Sequence, residues 1–194
     1  YYKCNLTDEN KIKNLFLKLK KRFRKIDILI CNYGNSDFKN NDMNIKFALE
    51  HNFMTTFNTV KYSLPLLKNK NSKIICISSI CGVEEIEGAP MGYSIAKSTL
   101  NTYVKVISKK LAKKRIMINN IAPGNIWFKG SDWEKKMKKN KKMTQKYIKK
   151  NVQINSFGKI NDILIICNSL INSENLFITG QTFIVDGGQT KRFS

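Results

Sequence analysis

Apolar residues recur at Ile12, Leu15, Phe16, Leu19 and Phe23, a 3.6-residue stripe that predicts an amphipathic helix. Thr7 or Asp8 is placed to cap its free N–H groups. Residues 1–6 read as a short strand running into a turn. Compact apolar runs at 26–31, 73–78, 116–121 and 182–185 read as buried strands. The first of these ends at Asn32-Tyr33-Gly34, the third at Ala122-Pro123-Gly124 and the last at Asp186-Gly187-Gly188. A polar loop to about Asn44 leads into a helical stretch over 45–67, interrupted late by Pro65. A second helix begins after Pro90 and carries Tyr93, Ala96, Leu100, Tyr103, Val104, Ile107 and Leu111. Residues 125–155 form a Lys-rich excursion, helical in its middle, and 160–170 a last helix. Strands alternating with helices predict a parallel sheet covered on both faces. The pattern shows neither an internal repeat nor a linker, so residues 1–194 are expected to form one α/β domain.

Composition narrows the function classes. Apolar content of 42% and charged content of 25% are those of a soluble globular chain. No apolar run reaches the length of a membrane span, and no secretory leader is visible, so a cytoplasmic location is the default expectation. Five cysteines, odd in number and scattered, argue for reduced, buried thiols rather than a disulfide framework or a zinc site. The net charge of +21 would suit a nucleic-acid surface. The lysines are spread over most of the helices, however, and Asn and Ile are abundant too, as A/T-rich codon usage would produce. The reading is therefore no nucleic acid and no membrane partner. A basic binder would need its lysines on one face.

The candidate chemistry centres on Tyr93 and Lys97. At i and i+4 they share one face of the helix after Pro90. A phenol with a pKa near 10 is a poor acid–base at neutrality. An ammonium one turn away is expected to lower that pKa and to match the phenol to carbonyl reduction. Such a pair also arises by chance in a Lys-rich chain, as an ordinary surface pair. Its context is more specific. Asn32 and Gly34, then Ser78-Ser79-Ile80-Cys81-Gly82, then Pro123-Gly124 close three successive strands. Strand C-termini are where open α/β sheets bind ligands.

In these motifs the chain resembles the short-chain dehydrogenase/reductase family over nearly its whole length. Asn32-Tyr33-Gly34 resembles the family's Asn-Ala-Gly turn. Asn52, Ser79, Tyr93 and Lys97 match its catalytic set, and Pro123-Gly124-Asn125-Ile126 the segment beside the nicotinamide. Ile178-Thr179-Gly180-Gln181 through Asp186-Gly187-Gly188 resembles its closing segment. The resemblance implies a Rossmann-type doubly wound sheet and NAD or NADP as cofactor. It further implies hydride transfer between a nicotinamide and a carbonyl or secondary alcohol. Tyr93 would move the proton, Lys97 hold the ribose, Ser79 hydrogen-bond the substrate oxygen and Asn52 hold a relay water. Cofactor contacts would come from Asn5, Leu6, Asn32, Tyr33, Gly34, Tyr93, Lys97, Pro123, Gly124 and Ile126. His51 gains no role.

The departures matter as well. The family's first strand, Gly-rich turn and helix have no counterpart, and Cys4-Asn5-Leu6-Thr7 resembles the adenine-contacting turn after its third strand. The expectation is an incomplete record of a normal enzyme, with residues 26–31 left as a bare apolar edge and with weak nicotinamide binding. The alternative is a truncated, inactive relative that acts as a binding or scaffold protein. Ser79 and Tyr93 stand one position further apart than is common, across a loop with Glu84, Glu85 and Glu87. Phe128 stands where a cofactor-contacting Thr is common. The 123–134 stretch resembles a branch associated with surface-polysaccharide or nucleotide-sugar modification; a carrier-bound 3-oxoacyl chain is the rival substrate. Trp127, Phe128 and Trp133 are expected to line or lid the site, with core packing an equal reading. Lys129, Lys135 and Lys136 are either phosphate attractors or a solvated face. Apolar surface on the tyrosine helix implies a homodimer or homotetramer.

Overall fold

The computed structural model describes residues 1–35, 37, 42–67, 71–172, 174 and 177–191. Most of the polar loop expected after Gly34 lies outside the described residues. Four strands, β1 (Ile28–Cys31), β2 (Ser72–Ile77), β3 (Ile116–Pro123) and β6 (Thr182–Val185), form one sheet in the order β1-β2-β3-β6. All three pairings are parallel. A second, two-stranded patch joins β4 (Ile126–Trp127) to β5 (Gly158–Lys159).

The sheet's two faces are read directly from the period-2 alternation of side chains. Ile74, Cys76 and Ile118 point to one face, packed against Val60 of α3 (Thr55–Ser63) and against Leu100, Val104 and Leu111 of α4 (Met91–Ala112). Ile75 and Ile121 point to the other, against Cys167 and Leu170 of α7 (Ile160–Asn172). Because β2 and β3 are covered on both sides, they carry near-continuous apolar stretches, Ile74 to Ile77 and Ile116 to Ile118 with Ile121 and Ala122. β1 is covered on one side only. Leu29 and Cys31 join the α3–α4 core, whereas Ile28 and Ile30 are 41% and 47% exposed. As expected, this strand ends the sheet order among the described residues, and of its two faces one is packed while the other carries the exposed Ile28 and Ile30.

Helix α1 (Glu9–Arg22) buries Ile12 and Phe16 against Leu66 and is capped by Asp8, whose carboxylate accepts from Lys11 N. The strand expected over 1–6 does not form; Asn5 Oδ1 instead accepts from the Thr7 amide and hydroxyl, a local turn that offers the backbone an alternative to extension. The long helix expected over 45–67 is three pieces. α2 (Ile45–Leu49) passes into a π-turn (Glu50–Met54) before α3, and the helix ends at Ser63, ahead of Pro65. The Lys-rich excursion is two helices, α5 (Asp132–Lys139) and α6 (Lys141–Asn151), broken at Asn140, which caps α6. No helix among the described residues is long and apolar enough to cross a membrane. The exposed lysines decorate α1, the end of α4, α5 and α6 rather than a single helix face.

Candidate active site

The carboxyl ends of β1, β2 and β3 bring the expected residues together over α4. Gly92 and Met91 donate their amides to the Asp42 carbonyl and carboxylate, 3.0 and 3.3 Å away, which fixes the start of α4 where Pro90 supplies no side-chain cap. Nearly two turns in, Lys97 is buried and its Nζ donates to the Ile77 carbonyl at 2.9 Å. The same Nζ lies 5.7 Å from the Tyr93 ring centroid. Ser79 is extended, and its Oγ accepts from Cys81 N at 3.2 Å, closing the Ile80–Gly82 turn. The Ser79 hydroxyl also contacts Tyr93, which favours the phenolate.

Asn52 occupies the π-turn, fully buried. Single π-turns within helices are common at functional positions. Its Nδ2 donates to the Ala48 carbonyl and its Oδ1 accepts from Asn35 N at 2.8 Å. The loop after β1 is thereby tied to the helix that carries Asn52. Gly34 lies between: a Cβ there would stand 3.2 Å from Asn52 Oδ1 and 3.5 Å from Lys97 Nζ. Gly34 thus adds no side chain over the buried ammonium. Tyr33 donates to or accepts from His51 Nδ1 across 2.9 Å, and the His51 ring stacks on Phe47 at 4.1 Å. His51, given no role from sequence, therefore holds the turn that stands where the family has Asn-Ala-Gly.

Burial decides the electrostatics. Desolvation lowers the Lys97 pKa to about 8, against the pull of the Cys76 and Cys81 thiols. Desolvation also pushes the Tyr93 phenol above its ordinary value, aided by Cys81 and opposed by Ser79. The expectation that Lys97 lowers the Tyr93 pKa is not met in this arrangement, because the ammonium faces the Ile77 carbonyl and burial of the phenol dominates. Tyr93 is consequently a protonated phenol at neutral pH, the form a proton donor needs.

The unfolded Lys97 titrates near 10.5 and the folded one at about 8, so between these values the unfolded chain holds more protons and stability rises with pH. The burial cost is complete below about pH 8. In urea unfolding, Lys97→Met is expected to gain on the wild type by at most roughly 3 kcal/mol near pH 7. That advantage should shrink steadily toward pH 10. A pH-independent difference would contradict the burial argument. Tyr93 is present in both proteins and cancels.

The remaining predicted residues divide. Gly124 packs on Asp186, where a Cβ would come within 2.8 Å of Asp186 Cα, so Pro123 and Gly124 stand at the β3–β6 end of the crevice. Asp186 itself accepts from the Gly188 and Thr190 amides and the Thr190 hydroxyl, which shapes the closing turn. Asn5 and Leu6 lie at the head of α1, where Leu6 packs with Ile12 and Phe16; their observed contacts do not reach Tyr93 or Lys97. Trp127 stacks on Phe157, and Trp133 on Phe157 and Tyr147, at 5.2 to 5.4 Å. These rings form the hydrophobic seam that joins α5 and α6 to β4, while Phe128 is exposed. Lys135 pairs with Asp132 and Lys136 covers Trp133. Lys129 is exposed. Two of the loop glutamates act as ties: Glu84 accepts from Lys191 N, and Glu87 pairs with Lys150 of α6.

Two groups escaped the sequence reading. Buried Asn125 and Gln189 form a polar cluster with half-buried Tyr147, in which Asn125 Nδ2 donates to Gln189 Oε1 at 2.6 Å. Ser78, Asn101 and Asn120 form a second, beneath Ser79. Asn101 stands at i+8 from Tyr93, on the same helix face, and that spacing was the available signal. The thiols are all free, as expected; Cys31, Cys76 and Cys167 are buried, while Cys4 and Cys81 are half-buried, the latter beside Tyr93. Among the described residues no cluster of His, Cys, Asp and Glu has the makings of a metal site.

Comparison with known proteins agrees with this geometry. The family model described as enoyl-(acyl carrier protein) reductase matches residues 1–190. The 3-oxoacyl-[acyl-carrier-protein] reductase FabG of Rickettsia conorii is 32% identical over 193 residues, covering 95% of this chain and 74% of its own. The human 3-oxoacyl-[acyl-carrier-protein] reductase is 27% identical over 194 residues, covering 96% of this chain and 76% of its own. Among solved structures, L-sorbose reductase from Gluconobacter frateurii, complexed with NADPH and L-sorbose, superposes with a TM-score of 0.86. It is 21% identical, with 98% of this chain and 76% of that chain covered. The RhlG–NADP complex of Pseudomonas aeruginosa gives a TM-score of 0.83 at 21% identity, over 95% of this chain and 74% of that chain. These two likenesses establish the Rossmann-type fold.

Proposed function

Because this chain belongs to the short-chain dehydrogenase/reductase family, we propose that it is an NAD(P)-dependent oxidoreductase that reduces a 3-oxoacyl thioester to the 3-hydroxyacyl form, with Tyr93 as the proton donor. The observation that carries this reading is the meeting of Ser79, Tyr93 and Lys97 at the strand ends, with Asn52 held behind Gly34. The residues fit a nicotinamide nucleotide: Gly34 puts no side chain between the crevice and the buried Lys97 ammonium, which donates to the Ile77 carbonyl. Asn32, Tyr33 and Gly34, then Tyr93 and Lys97, then Pro123, Gly124 and Ile126 would hold it, with Asn5 and Leu6 toward the adenine. When bound, the cofactor supplies the hydride.

The chain's own part is proton handling and orientation. Ser79 Oγ holds the substrate oxygen beside the Tyr93 hydroxyl, where negative charge develops. Tyr93 passes its proton to that oxygen as the carbonyl carbon is reduced. Lys97 keeps the ribose and the phenol in register, and Asn52 anchors the water that returns a proton through Lys97. In the oxidative direction the same phenol must first lose its proton, so the raised Tyr93 pKa favours reduction below alkaline pH.

The two 3-oxoacyl-[acyl-carrier-protein] reductases, from Rickettsia conorii and human, support the thioester over the sugar derivative. A substrate screen decides. With NADPH or NADH, the purified protein is expected to turn over a 3-oxoacyl thioester faster than an oxidised nucleotide sugar. The reverse order would replace the substrate and keep the chemistry, whereas no turnover of either would favour the inactive binding protein. Exposed Met91, Ile95 and Val106 on α4 support a homodimer or homotetramer.

A further inference from the structure

We infer that Asn101 is a positioning residue that clamps both ends of the turn carrying Ser79, and thereby sets Ser79 against Tyr93; the inference rests on the oxidoreductase reading for its catalytic consequence. The turn from Ser78 to Gly82 is short, and Ser79 is its only side chain that meets Tyr93 through a hydroxyl. Within it, Cys81 N donates to Ser79 Oγ and Gly82 N to the Ser79 carbonyl at 3.0 Å. These bonds fold the turn but do not place it.

Beyond the backbone bond from Ser78 N to the Ile121 carbonyl of β3 at 2.7 Å, placement comes from Asn101. Its Oδ1 accepts from the Ser78 hydroxyl at 2.6 Å, immediately before Ser79. Its Nδ2 donates to the Gly82 carbonyl at 3.0 Å, at the other end of the turn. Asn120 of β3 donates to the same Oδ1 at 3.2 Å and to Thr182 Oγ1 of β6 at 3.2 Å, which fixes the amide's rotamer from below. An amide that both accepts and donates is what bridging a hydroxyl and a carbonyl requires. Asn101 extends the i, i+4 series of Tyr93 and Lys97 to i+8, so one helix face supplies the proton donor, the ammonium and the clamp. The clamp holds the turn down while Gly82 rests on the Lys97 backbone, with no room for a Cβ.

Two readouts test the inference. In Asn101→Leu, hydrogen exchange of a peptide spanning Ser78 to Val83 is expected to accelerate on the order of tenfold, with β3 and the rest of α4 unchanged. The kcat for carbonyl reduction should fall on the order of 10- to 100-fold while the KM for the cofactor stays constant. Ser78→Ala removes one arm and should move both readouts in the same direction by less. The double variant Ser78→Ala/Asn101→Leu should lose no more kcat than Asn101→Leu alone, because both act through one contact. Unchanged exchange over Ser78 to Val83 overturns the clamp, as does a raised cofactor KM at constant kcat. If Asn101→Leu does not fold, Ser78→Ala decides by the same criteria. A wild type that reduces no carbonyl sinks the oxidoreductase reading instead, and the exchange measurement still judges the clamp.

Discussion

Replacing Tyr93 by Phe is expected to lower the kcat for carbonyl reduction by roughly 10²- to 10⁴-fold, the usual range for a lost general acid. The substitution removes one oxygen and keeps the ring, so the packing of α4 is preserved. Lys97 keeps its bond to the Ile77 carbonyl, since that contact does not involve the phenol. Cofactor affinity should therefore change little, and steady-state kinetics with a fluorescence titration of the reduced nicotinamide separates the two effects. The raised Tyr93 pKa gives the result its direction. A phenol held protonated by burial delivers a proton to a substrate oxygen and has none to deliver once it is Phe. Undiminished kcat in the Phe variant would remove Tyr93 from the mechanism.

The second large effect is expected at Gly82. A Cβ on this residue would stand 2.5 Å from the Lys97 carbonyl carbon and 2.7 Å from both the Lys97 oxygen and the Ser98 nitrogen. These are backbone atoms inside a helix and have no rotamer to move. Gly82→Ala must lift the turn off α4, strain of about 1–3 kcal/mol by analogy with other over-packed sites. The displaced turn takes Ser79 with it. Activity should fall about 100-fold, since a shift of about an ångström in a reacting group costs that much. Urea unfolding and kinetics on the same preparation check both parts. Stability and activity close to the wild type would show that the helix and turn are not in contact at this point.

Much of this was legible from the chain, for physical reasons that differ by residue. β2 and β3 were readable because both their faces are covered, which makes Ile74 to Ile77 continuously apolar and Ile116 to Ile118 with Ile121 apolar around the buried Asn119 and Asn120. Tyr93 and Lys97 were readable because a helix converts a spacing of four into a shared face. The strand over 1–6 was misread because Asn5 diverts the backbone into a turn that apolar pattern does not encode. The π-turn at Asn52 was invisible for a similar reason: one extra residue in a helical turn leaves the apolar period almost intact while rotating Asn52 toward Gly34. The pKa relation between Tyr93 and Lys97 also needed coordinates. Spacing shows that the two are neighbours, but only the coordinates show that desolvation is the largest influence on each. Asn101 and Gly82 belong to the same class, since their importance lies in contacts across the turn rather than in any motif.

The central claim is that this crevice moves a hydride to a carbonyl carbon and a proton from Tyr93 to its oxygen. It is tested most directly by reducing a 3-oxoacyl thioester with a nicotinamide cofactor deuterated at the transferable position and analysing the product by mass spectrometry. The account predicts one deuterium on the carbinol carbon of the 3-hydroxyacyl product with the wild type, and a rate lower by orders of magnitude with Tyr93→Phe. Product without deuterium at that carbon, or equal labelling rates in the two proteins, would contradict it.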